Sequence, residues 1–291
     1  MLITWFPQRP PFLHNLPPQV RVGIASVRTA LSRTHLYGFD YALNPWWGCL
    51  HGCRYCYAAG YTLRANPELE GREWGSFIVL KQDLLRLLRK HRLRRSRRIV
   101  LSTLTDPYLR WIEGPLQTVR RLLLYLAQHQ AHVSILTKSD LVTRDIDIFR
   151  QQPSWTVGLT ITGLETFLSR IFEPRAPPPT DRLRALRHLS SEGATAYAFL
   201  GPLLPGYLEA SGGFEALFEE AASTGVRFIV VDRLNPRPLV LTRLFSTLRQ
   251  QFPEWIPLIR SALKQPKYYS RIKQTAERLA QQLRVEVRFC W

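Results

Sequence analysis

The chain has 291 residues, 45% hydrophobic and 21% charged, enough apolar mass for one large α/β domain or two small ones. Forty Lys and Arg against 22 Asp and Glu give a formal net charge of +18, a field that attracts polyanions, nucleic acid first. No apolar run approaches the ~20 residues of a bilayer-spanning helix, nothing reads as a signal peptide, and so no membrane partner is expected.

Residues 1–37 carry Pro7, Pro10, Pro11, Pro17 and Pro18 without a sustained period, which predicts an extended N-terminal arm. Gly38 to Leu43 alternates enough for a first short strand. Tyr57 to Ala65 reads as helical, and Trp74 to Leu80 is apolar and short. Leucines at 84, 85, 87 and 88 predict a helix with one buried face between Lys81 and His91. Between Arg86 and Arg98 lie eight Lys or Arg and no acid. That run suits either a phosphate-contacting patch or a solvated helix end, where cations also favour the macrodipole.

A rhythm follows. Ile99–Thr103, His132–Thr137, Trp155–Ile161, Thr195–Leu200 and Arg227–Val231 read as strands. Helical patterns fall near Pro115–Gln128, Thr143–Arg150, Leu164–Ile171, Thr180–Ser191 and Gly213–Ser223. Short apolar strands alternating with helices predict parallel β/α units over residues 38–235. Residues 236–291 read as a helical extension (Leu239–Gln251, Ser270–Leu283) closed by a strand, Val285–Phe289. There Lys264, Lys267, Tyr268, Tyr269, Arg271 and Lys273 interleave cations with aromatics, as suits a nucleic-acid strand or a solvated outer face.

The chemistry concentrates in Asn44-Pro45-Trp46-Trp47-Gly48-Cys49-Leu50-His51-Gly52-Cys53-Arg54-Tyr55-Cys56-Tyr57. Three of the four cysteines stand here, spaced C-x3-C-x2-C, a metal pattern rather than a disulfide framework and one that fits a reducing cytoplasm. Three thiolates make a soft, anionic pocket suited to iron–sulfur chemistry or zinc. Structural zinc wants four ligands, and no second C-x2-C or H-x3-H pair completes such a set.

This motif, with an aromatic (Tyr55) just before the last cysteine, is similar to that of the radical S-adenosylmethionine (SAM) superfamily. The wider wording, NPWWGCLHGCRYCYA, resembles its spore photoproduct lyase-like branch. The resemblance implies a partial (β/α)6 TIM-like barrel of the radical SAM type. It implies a [4Fe-4S] cluster on Cys49, Cys53 and Cys56, with one iron open to SAM. It also implies reductive cleavage of SAM, hydrogen abstraction from an unidentified substrate, and an electron donor such as a flavodoxin or ferredoxin.

In barrels of parallel strands the working residues sit at the C-terminal strand ends. Here those ends are polar: Ser102-Thr103-Leu104-Thr105-Asp106, Thr137-Lys138-Ser139, Thr160 with Thr162, the glycine–proline stretch Gly201–Gly206, and Asp232-Arg233-Leu234-Asn235. Under the resemblance, Ser102 and Thr103 accept from the SAM amine, and Lys138 pairs with its carboxylate. Thr160, with Thr162 beside it, contacts ribose or carboxylate, and Tyr55 places its ring or backbone against adenine. Asp106 and Glu113 are ambiguous between site and scaffold. The phrase Glu173-Pro174-Arg175-Ala176-Pro177 with Arg182 also resembles the branch, and reads as an ion pair that fixes a loop rather than as a substrate contact.

The chain departs from true spore photoproduct lyases, which use a cysteine inside the chain as hydrogen donor. Its fourth cysteine is the penultimate residue, Cys290. The resemblance therefore implies the cofactors and not the substrate. Three functions are carried forward: a radical SAM enzyme acting on nucleic acid through the basic surface, one acting on a peptide or small metabolite, and a non-enzymatic nucleic-acid-binding module with a structural metal.

Overall fold

A computed structural model describes residues 2–91, 93, 97–265 and 267–291. The basic run from Arg86 to Arg98 therefore lies partly outside the described residues. The fold is α/β with parallel strands, and the chain divides into two compact units: Met1–Gly52 with Ala58–Val157, and Cys53–Tyr57 with Gly158–Trp291.

The first unit contains two sets of strands. β1 (Ile3–Trp5) and β2 (Arg21–Ala25) come from the segment that reads as an arm. They pair antiparallel, and β2 then runs parallel to a later strand. Three residues are too few to show a period, and the prolines between the strands dominate the sequence signal. The Trp5 ring is covered by the Arg72 guanidinium at 4.1 Å and that of Arg21 at 5.5 Å, a contact no local pattern announces. β3 (Ser32–Arg33) pairs antiparallel with β4 (Tyr41–Leu43), and β5 (Trp46–Trp47) follows at once. After α1 (Ala58–Ala65), β6 (Phe77–Lys81) joins the order β1-β2-β6-β5.

α2 (Leu84–Lys90) leads to β7 (Arg98–Leu101), then α3 (Arg110–Leu116), α4 (Thr118–Gln128), β8 (His132–Thr137) and α5 (Ile146–Phe149). β4, β7 and β8 are parallel neighbours, so Asn44, Ser102 and Lys138 leave them on the same edge. α4 buries Val119, Leu122, Leu123 and Leu126, the i, i+3, i+4, i+7 stripe of an amphipathic helix. β8 buries Val133, Ile135 and Thr137 in strict alternation.

Apart from Cys53–Tyr57, the second unit starts inside β9 (Thr156–Ile161), at Gly158. It continues through α6 (Thr166–Phe172), α7 (Pro179–Ser191), β10 (Ala196–Leu203), α8 (Tyr207–Ala210), α9 (Gly213–Ala222) and β11 (Phe228–Arg233). α10 (Pro238–Gln251), α11 (Trp255–Lys264), α12 (Lys267–Leu283) and β12 (Glu286–Phe289) complete it. The strands lie in the order β9-β10-β11-β12, with β10, β11 and β12 mutually parallel.

Gly158 lies inside β9 for a steric reason: a Cβ there would fall within the Tyr197 ring, which stacks on Phe228. Gly158→Ala is expected to lower stability by about 1–3 kcal/mol, the usual cost of overpacking. A urea midpoint unchanged from that of the parent would show that the ring moves aside freely. Among the described residues, no helix is long and apolar enough to cross a membrane.

Candidate cofactor site

In the first unit the motif is built around Asn44, which leaves β4 buried. Its side-chain amide donates to Thr103 Oγ1 at 3.3 Å, and its Oδ1 accepts from Leu104 N at 2.9 Å. Its backbone carbonyl takes a 2.8 Å bond from Lys81 Nζ, whose ammonium also lies 5.2 Å from the Trp47 ring. Burial pulls the Lys81 amine down to about 8. Asn44 thus joins the end of β4 to the turn after β7. Trp46, buried on β5, donates its indole N–H to the Asp106 carbonyl at 2.9 Å. Gly48 adopts φ +85°, and a Cβ there would stand 2.5 Å from the Phe77 carbonyl oxygen. Glycine is therefore required directly before Cys49. Cys49, Leu50 and His51 follow, all buried.

The turn after β7 carries the most direct sign of a missing partner. Ser102 has φ +67°, a left-handed conformation for a residue that is not glycine, and its backbone N–H donates to Leu43 O at 2.8 Å. It is 8% exposed, and its hydroxyl has no hydrogen-bond partner among the described residues. A buried hydroxyl without a partner costs about 1–3 kcal/mol, which a ligand recovers. Thr103 and Lys138, the other two residues of this unit expected to hold SAM, are half-buried at the ends of β7 and β8.

Asp106 settles which of the two ambiguous acids belongs to this region. Its carboxylate accepts from Thr137 Oγ1 at 2.7 Å, Lys138 N at 2.8 Å and Tyr108 N at 2.9 Å. His51 Nδ1 lies 3.4 Å away. One buried carboxylate therefore ties the cysteine segment to the ends of β7 and β8. Thr105 adds a hydroxyl bond to Gly48 O. Glu113 is scaffold: it accepts from Val119 N and Arg120 N at the start of α4 and pairs with Arg144 at 2.7 Å. Burial raises its pKa.

In the second unit, Cys53 and Tyr55 are buried and Cys56 half-buried, all packed with Phe172, Leu204, Tyr207 and Leu234. Arg54 N donates to Phe172 O at 2.8 Å. The Tyr55 hydroxyl bonds the Glu173 carboxylate and lies 3.0 Å from Thr162 Oγ1. Thr162 Oγ1 is 2.9 Å from Glu173 Oε1 and 3.2 Å from Gly201 O. The expected ion pair is formed: Arg182, fully buried, bonds Glu173 through Nη2, Pro177 O through Nε at 2.7 Å and Thr160 O through Nη1 at 3.1 Å. Burial raises the Glu173 pKa, with Arg182 opposing the rise. Thr160 and Thr162 thus share one network with Tyr55, and Thr162 and Tyr55 commit their hydroxyls to it.

The donor set fits an iron–sulfur cluster. Among the described residues no three His, Cys, Asp or Glu side chains converge as a single metal ion would require. Iron–sulfur clusters are held by Cys thiolates, and three cysteines in one short segment supply soft donors of that kind, which is the ground of the fit. The candidates read from the sequence are the three cysteines, Tyr55, Ser102, Thr103, Lys138, Thr160 and Thr162. Lys81 and Asn44 were missed as site builders, although Asn44 stands inside the motif and Lys81 closes an apolar strand.

The model of the radical SAM superfamily matches residues 43–211. The chain belongs to the radical SAM superfamily. An uncharacterised protein of Methanocaldococcus jannaschii is 31% identical over 249 residues, 85% of this chain and 90% of that protein. Among solved structures, a spore photoproduct lyase variant matches 93% of this chain and 82% of its own, with TM-score 0.69 and 14% identity. Another variant of that lyase, with AdoMet and dinucleoside spore photoproduct bound, matches 79% of this chain and 66% of its own, with TM-score 0.60 and 16% identity. At such identities these likenesses show the fold, which is the radical SAM type of α/β fold expected from the sequence.

Proposed function

We propose that the chain is a cytoplasmic radical SAM enzyme that holds a [4Fe-4S] cluster on Cys49, Cys53 and Cys56 and abstracts hydrogen from a nucleic-acid substrate. When bound, the cluster and SAM supply one-electron cleavage of the sulfonium and a hydrogen-abstracting radical. The observation that carries the reading is the buried Ser102 hydroxyl, which has no partner among the described residues, at the end of β7 in the turn that Asn44 and Asp106 help to hold.

The protein's own part is to bind, orient and exclude water. Ser102 and Thr103 offer hydroxyls to the SAM amine, and Lys138 offers a cation to its carboxylate. Thr160 and Thr162 would contact the ribose or carboxylate, and Tyr55 would place its ring or backbone against adenine. The apolar packing around Cys53 and Tyr55 keeps bulk water from the thiolates. The net charge of +18 favours a polyanionic substrate over a peptide or metabolite, and the lyase neighbour's bound dinucleoside is in keeping with that choice. An electron donor such as a flavodoxin or ferredoxin completes the set of partners.

Anaerobic reconstitution with iron and sulfide, followed by dithionite and SAM, tests the reading. The expected result is four irons per chain and 5′-deoxyadenosine from the parent protein, with neither from Cys53→Ala. Protein that takes up zinc instead, or never cleaves SAM, would move a non-enzymatic binding module to the front. Binding to single-stranded DNA or RNA should weaken steeply with salt, and no binding at low salt would return the substrate to a peptide or small metabolite.

A further inference from the structure

We infer that Glu173 is a positioning residue for the cysteine segment: its carboxylate, paired with Arg182, holds the Tyr55 hydroxyl and so fixes the backbone that carries Cys53 and Cys56. The inference rests on reading that segment as cluster-binding.

Tyr55 stands between the two cysteines, two residues after one and one before the other. Whatever fixes its side chain limits how far either thiolate can swing. Two adjacent residues of the segment are tied to two adjacent residues at the end of α6. Arg54 N bonds Phe172 O, and the Tyr55 hydroxyl bonds Glu173. A backbone anchor and a side-chain anchor one residue apart define both position and orientation, which either alone would leave loose.

The Glu173 side is itself immobilised. Its second oxygen takes Arg182 and, at 3.3 Å, Ser169 Oγ, so the carboxylate has no freedom to follow a moving tyrosine. Arg182 is held in turn by the carbonyls of Pro177 and Thr160. Pro174, Pro177, Pro178 and Pro179 stiffen the connection between α6 and α7. Phe172 is clamped between rings, stacking on Tyr207 at 5.3 Å and on Trp255 at 6.2 Å.

Packing alone does not explain a charge here. Apolar side chains of similar volume usually stabilise an interior as well as or better than a buried ion pair does. A phenol-to-carboxylate bond, by contrast, is short, directional and about twice as strong as a neutral one. The pair therefore provides placement that an apolar contact cannot.

The test follows loss of iron from anaerobically reconstituted protein to a chelator, for the parent, Tyr55→Phe, Glu173→Gln and the double variant. Tyr55→Phe removes only the hydroxyl and is expected to speed iron loss about tenfold, the worth of one hydrogen bond to a charged group. Because Glu173 acts through Tyr55, the double variant should lose iron no faster than the worse single variant. Iron loss from Tyr55→Phe within twofold of the parent, or effects that multiply in the double variant, would overturn the inference. If Glu173→Gln does not fold, the Tyr55→Phe comparison alone decides. If the parent takes up no iron, the cluster reading fails separately. Amide hydrogen exchange of residues 53–57 then decides: about tenfold faster exchange in Tyr55→Phe supports the anchor, and unchanged exchange removes it.

Discussion

Arg182→Met should lower the stability of the protein by about 3–5 kcal/mol at pH 8, the cost of stranding one member of a buried ion pair. Methionine fills much of the arginine's volume, so the loss reports charge and hydrogen bonding rather than a cavity. The variant leaves the buried Glu173 carboxylate without its cation and frees the carbonyls of Thr160 and Pro177. The effect should depend on pH, with a definite sign. Burial already raises the Glu173 pKa in the folded protein, and Arg182 opposes that rise. Removing the arginine lifts it further, so the folded variant holds its proton to higher pH than the unfolded chain does. A group raised in this way contributes stability in full below its unfolded value, near 4.5, and loses it as pH climbs through the folded value. The deficit should be largest at pH 8 and smaller at pH 5, where Glu173 is closer to neutral. Urea unfolding at the two pH values checks this, and equal deficits would mean that the carboxylate is not what the arginine serves.

The same pair shows what the sequence could and could not reveal. That Glu173 and Arg182 meet was legible from the proline-rich phrase around them. That Glu173 also grips Tyr55, 118 positions earlier, was not, because no local period encodes a long-range hydrogen bond. Elements with strong periodicity were read well: β8 spans His132–Thr137 as expected, and α4 lies within Pro115–Gln128. α11 is not announced by the sequence: Pro257 stands in its first turn, where proline is tolerated. β1 and β2 owe their existence to neighbours across the sheet rather than to their own few residues. At the site, the cysteine spacing and the polar strand ends were visible. The separation of Asp106 from Glu113 was not. Both are buried acids near the start of a helix, and only their partners tell them apart.

Asp106→Ala should cost at least ~3 kcal/mol in stability and weaken SAM binding to the reconstituted protein about 10–100-fold. Alanine removes the acceptor for Thr137 Oγ1, Lys138 N and Tyr108 N, and the carboxylate that faces the His51 ring. Buried donors left unmet carry their desolvation cost in full, whereas the bonds they made were worth less. Asp140 supplies the contrast. It pairs with Arg110, whose side chain is 61% exposed, and Asp140→Ala should change stability by less than ~1 kcal/mol. The binding effect has a separate origin. On the proposed reading Ser102, Thr103 and Lys138 would hold SAM from backbone that Asp106 keeps in register, so in the variant their side chains would remain but stand in the wrong place. Asp106→Asn should fall between the two, since its amide keeps one acceptor while turning a second donor toward groups that already donate. Equilibrium dialysis with labelled SAM, beside urea unfolding, separates the roles. A variant that is destabilised yet binds SAM within twofold of the parent would confine Asp106 to the scaffold. Weakened binding that persists well below the unfolding transition would place it among the residues that set the geometry of the cofactor.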